Sequence, residues 1–134
     1  MILHAAGQTP QALFEDAAQQ LFKSLSPSED LGATLREKIS LDAPSLQALL
    51  QAWITELVRL THQEHMLFHK ARILALEGPL EGSYQLHAEL LGELIDPMRH
   101  TVRIDLTDRS SVMVELKTPM AGQNSLQALL QIKP

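Results

Sequence analysis

Two stretches whose apolar residues recur at three-and-four spacing constrain this chain most, because each stripe must be buried against another element. The first carries Leu13, Phe14, Ala17, Ala18, Leu21, Phe22 and Leu25, and its spacing predicts a helix over residues 10–25. Thr9 is placed to cap it, Pro10 suits its first turn, and Glu15 and Asp16 lie toward the positive end of its dipole. The second stripe, from near Pro44, carries Leu46, Leu49, Leu50, Trp53, Ile54, Leu57 and Val58, with Asp42 as the expected cap. Trp53, the single indole, reads as core rather than as a ligand-stacking ring.

Period-two segments surround the stripes. Residues 2–6 suit a short strand closed by Gly7, and Leu35, Ile39 and Leu41 alternate with Arg36, Lys38 and Ser40. A strand is expected over residues 66–76, although its alternation is irregular, and Gly78-Pro79-Leu80-Glu81-Gly82 reads as the turn into a strand through Tyr84, Leu86, Ala88 and Leu90. A second hairpin pairs Val102, Ile104 and Leu106 with Val112, Val114 and Leu116. Leu126, Ala128, Leu130 and Ile132 suit a last strand, while Leu126, Leu129 and Leu130 also suit a short helix. The order β-α-β-α followed by consecutive strands predicts an α+β, two-layer sandwich over residues 1–134, a single domain with both helices on one face of a largely antiparallel sheet.

Composition narrows the function classes. With no cysteine, disulfides and thiolate metal sites are excluded. No run approaches a membrane span and no secretory leader pattern opens the sequence, so a cytoplasmic protein without membrane contact is expected. A formal charge of −5, with 11 basic residues scattered among 16 acidic ones, argues against strong direct binding to nucleic acid. Five aromatic residues are too few for a base-stacking platform.

Chemistry-bearing residues concentrate at Asp96-Pro97-Met98-Arg99-His100, a polar turn feeding the strand that ends at Leu106. Three functional groups in five residues either form a site or simply bond the turn's own backbone. Asp105 and Asp108, beside Arg103 and Arg109, offer a carboxylate pair that reads more simply as a solvated hairpin tip. His62, His65 and His69 would share one face if helical, with zinc-ligand spacing at His65 and His69; the helix is expected to end before Met66, which favours a solvated helix end over a metal-dependent hydrolase. His4 and His87 fall in strand patterns and read as ordinary strand residues.

Three segments, in the same order along the chain, carry a resemblance. Gly7-x-Thr9-Pro10-x-x-Leu13-Phe14-Glu15-x-Ala17-Ala18, Leu49-Leu50-x-x-Trp53-Ile54-x-Glu56-Leu57 and Asp96-Pro97-x-Arg99-His100 resemble segments of the archease family, small proteins that assist RtcB-type RNA ligases. The resemblance implies a non-enzymatic accessory protein that promotes guanylylation and turnover of such a ligase, with acidic residues holding a divalent metal, Ca or Mg, at one tip. It places the partner contact at Asp96, Arg99, His100, Asp105, Asp108 and Arg109.

The metal-ligand positions are largely absent. The family's early His-Thr-Ala-Asp-x-Gly motif should precede the first strand, and the sequence starts at Met1 within it, so that its Asp has no counterpart; its Lys-Ala-x-Thr-Tyr-His motif falls on Thr107–Val112, with only Ser110 chemically similar; its terminal Asp falls at Gln131. Hard divalent cations need several oxygen ligands, usually including carboxylates, so no metal ligand is assigned. The alternative expectation is a degenerate family member, an interaction module without metal or ligase-activating activity.

Overall fold

The computed structural model describes residues 2–25, 35–94, 111–117 and 126–133. Their order is β1 (Ile2–Gly7), α1 (Pro10–Leu25), β2 (Leu35–Ala43), α2 (Leu46–Gln63), β3 (Met66–Leu80), β4 (Ser83–Leu94), β5 (Ser111–Lys117) and β6 (Leu126–Lys133). The α+β class, the two helices and the antiparallel pairing are as expected. The single sheet is not: the described strands form two three-stranded sheets, β1-β6-β5 and β2-β4-β3, every pairing antiparallel. The expected strand over residues 101–106 lies outside the described residues.

Each helix touches an edge strand of both sheets, α1 reaching β1 and β3 and α2 reaching β5 and β2. Their apolar stripes therefore close the space between two sheets, and the core draws on all of these elements. At its centre Trp53 is fully buried, and its Nε1–H donates to the Phe14 carbonyl at 3.0 Å, fixing α2 against α1. A buried indole N–H needs such a partner. The Phe22 ring packs on Phe68 with centroids 5.8 Å apart, joining α1 to β3.

Several boundaries depart from the sequence expectation. Asp42 does not cap α2; it stays in β2 opposite Gln85, and Ser45 caps instead, its hydroxyl accepting from the Ala48 amide at 3.1 Å. Thr9 does cap α1, accepting from the Ala12 amide at 3.1 Å. Neither acidic residue of α1 lies in its first turn: Glu15 accepts from the Ile73 amide at 3.0 Å and Asp16 from the Ala6 amide at 2.8 Å. Those amides belong to the open edges of β3 and β1, so adjacent carboxylates on one helix satisfy backbone donors on both sheets. On α2 the Gln47 amide oxygen accepts from Leu116 of β5 at 3.4 Å.

The β3–β4 hairpin turns more tightly than the Gly78–Gly82 stretch suggests. Gly78 and Pro79 remain in β3, Leu80 pairs with Ser83, and only Glu81 and Gly82 reverse the chain, at φ 52° and 78°. Two consecutive positive φ values match the right-handed twist of the strands, and glycine takes the second at no steric cost. Residues 126–133 form a strand rather than a helix; β6 is the central strand of its sheet, with Ala128, Leu130 and Ile132 buried. Among the described residues no helix is long and apolar enough to cross a membrane.

Candidate functional site

Where β1 meets the start of α1, the chain builds a polar notch. A Cβ at Gly7 would lie 2.4 Å from the Leu13 amide nitrogen, so only glycine lets the strand end come this close to the helix. That approach brings Asp16 to the Ala6 amide. Across the sheet, Ala6 stands opposite Gln127 and Gln127 opposite Lys117, which places both side chains in the row beside Asp16. With His4 these residues line a cavity of about 260 Å³.

The donor set limits its chemistry. Both Asp16 oxygens are engaged, Oδ2 by the Ala6 amide and Oδ1 by the Gln20 side-chain amide at 3.5 Å. The other polar groups of the lining are the His4 imidazole, the Lys117 ammonium and the Gln127 amide. Among the described lining residues there is no serine, threonine or cysteine to pair with a base.

The histidine segment does not assemble as a helical metal site. The α2 helix ends at Gln63, His65 sits at φ 53° in the connection, and His69 lies on β3 at a register shift between Phe68 and Lys70. The helical spacing that would align His62, His65 and His69 is broken at its midpoint. His4 and His87 are strand residues, as expected, and His87 Nδ1 lies 3.0 Å from the Ser40 hydroxyl. Trp53 is core, also as expected.

All six residues assigned to the partner contact, Asp96, Arg99, His100, Asp105, Asp108 and Arg109, lie outside the described residues, as does Arg103. The described chain leaves the region at Leu94, paired with Met66, and resumes at Ser111, paired with Lys133. Gln131 is described: it is half-buried on β6, with Ile2 and Met113 as its cross-strand neighbours. An amide offers a cation one neutral oxygen, where a carboxylate offers a charged pair. Among the described residues no three carboxylate or imidazole groups converge as a metal-binding set.

Comparison with known proteins adds a family. The family described as "Archease protein family (MTH1598/TM1083)" matches residues 1–106. A curated protein archease of Methanosarcina mazei is 26% identical over 118 residues, 88% of this chain and 80% of that protein. One of Methanosarcina barkeri is 29% identical over 92 residues, covering 69% and 62%, and one of Aeropyrum pernix 26% identical over 117 residues, covering 87% and 81%. Among solved structures, the solution structure of Methanobacterium thermoautotrophicum protein 1598 superposes with a TM-score of 0.74 over 96% of this chain and 88% of that one. At 16% sequence identity that likeness concerns the fold.

Proposed function

The chain belongs to the archease family, and on that premise we propose that it is a non-enzymatic accessory protein of an RtcB-type RNA ligase, promoting the ligase's guanylylation and turnover in tRNA splicing or RNA repair in the cytoplasm. The observation that carries this reading is the family match over residues 1–106, which spans the Asp96-Pro97-x-Arg99-His100 signature. In this reading Asp96, Arg99 and His100, with Asp105, Asp108 and Arg109, form the surface that meets the ligase. Co-purification with the host's ligase, followed by a guanylylation assay with and without this protein, tests it. Association and a faster rate are expected; no association and an unchanged rate would sink it.

One observation favours a second reading. Gln131, at the position of the family's terminal Asp, faces apolar neighbours, so the chain is alternatively an interaction module of archease fold that has lost metal and ligase activation. Binding to the ligase without a change in guanylylation selects this alternative.

A further inference from the structure

The outer face of the β2-β4-β3 sheet gathers charges that are far apart in sequence. Register places Lys38 and Arg72 on either side of Glu89, and Arg36 and Lys70 on either side of Leu91 one row along. Four of the chain's 11 basic residues thus occupy two adjacent rows, all four exposed. Strand geometry spaces them about 7 Å along a strand and about 10 Å across the central one.

The carboxylates of this face are sunk or distant. Glu89 and Glu93 are 8% and 7% exposed, and Glu89 is joined by Arg36 at 3.5 Å. Asp42 and Glu77 stand opposite Gln85 at the hairpin end, about 13 Å along the strands from Lys38 and Arg72. What solvent meets over the two rows is therefore cationic. Arg36 is paired with Glu89, whereas Lys38, Lys70 and Arg72 make no ion pair among the described residues.

We propose that this face binds the phosphate backbone of duplex nucleic acid, weakly and without sequence preference. A phosphate backbone requires only correctly spaced cations, and arginine and lysine both serve. An acidic protein partner would want a desolvated aromatic or apolar anchor among the charges, and the two rows offer none beyond the half-buried Leu91. Without an aromatic residue in the rows, single strands lack a stacking platform. The site does not rest on the ligase reading.

Anisotropy of a labelled RNA duplex of about 20 base pairs, titrated with the full chain between about 50 and 200 mM salt, tests the proposal. Three to four phosphate contacts predict a log–log salt slope of about −3. Arg72→Gln should weaken binding about fivefold or more and reduce the slope by about 1, and Lys38→Gln with Arg72→Gln should reduce it by about 2. Lys23→Gln, an equal charge change at an exposed position of α1, should stay within about twofold. Thermal denaturation of each variant verifies that the fold is intact. Absence of binding at the lowest salt, or equal effects of Arg72→Gln and Lys23→Gln, would overturn the site. Displacement of the duplex by polyglutamate at matched charge would overturn nucleic acid as its ligand in favour of an acidic protein.

Discussion

Replacing Trp53 by phenylalanine keeps a ring in the core and removes the N–H that reaches the Phe14 carbonyl. The Phe14 carbonyl keeps its intrahelical partner within α1, so Trp53→Phe should cost only the net value of one hydrogen bond, about 0.5–1.5 kcal/mol, and Trp53→Ala, which opens a cavity, about 3–5 kcal/mol, both read by denaturant unfolding followed by circular dichroism. Ser45→Ala should cost about 1 kcal/mol by removing the α2 cap, whereas Asp42→Ala should leave the cap untouched. Arg59 has its pKa raised above the ordinary guanidinium value, chiefly by the hydrogen bond to Glu56, where its Nε donates at 3.0 Å. Because the shift is upward, the arginine's contribution is present at all lower pH and lost only above that value. Arg59→Gln on this half-exposed pair should therefore cost under about 1 kcal/mol, equally at pH 6 and pH 9. At this scale the sequence was readable wherever a side chain acts locally, as with the Thr9 cap. It was not readable for Glu15 and Asp16: a helix pattern offers them to the dipole, while their partners Ile73 and Ala6 are supplied by tertiary packing.

Among the elements, the helices were legible because a single 3.6-residue stripe identifies a buried face. The irregular alternation of β3 has a visible cause: register shifts at Phe68/Lys70, Ile73/Ala75 and Glu77/Leu80 change which face successive residues take. Periodicity also says which side of a strand is buried but not which edges pair, so one expected sheet became two. Gly92 holds the β3–β4 pairing closed, since a Cβ there would lie 2.0 Å from the Leu67 carbonyl oxygen. Gly92→Ala should force the strands apart and cost several times the roughly 0.5–1 kcal/mol of an ordinary glycine effect, read as a fall in unfolding midpoint. Cations at Arg36 and Lys38, and at Lys70 and Arg72, looked dispersed along the sequence; β4 inserts between their strands and makes them neighbours.

For the whole molecule, membership of the archease family and the α+β architecture were both readable, because three motifs in order record the fold as well as the lineage. The candidate partner site was readable only as a resemblance, its six residues lying outside the described ones. On the alternative reading, in which metal binding is lost, millimolar Ca or Mg should leave the thermal midpoint unchanged within about 1 °C, since linkage raises it only where a native-state site is filled.

Sheet β2-β4-β3 is made within residues 35–94, whereas β1 finds its partner only in β6, at the far end of the chain. Synthesis at about 5–20 residues per second leaves roughly 6–24 s between Gly7 and Leu126. Throughout that interval the first strand exists without its hydrogen-bonding neighbour, and the Asp16 carboxylate accepts from its Ala6 amide. A nascent chain is thus an unfinished sheet waiting on β6, and a released chain truncated after residue 120 should be cut readily by protease within residues 2–7 while residues 66–94 resist.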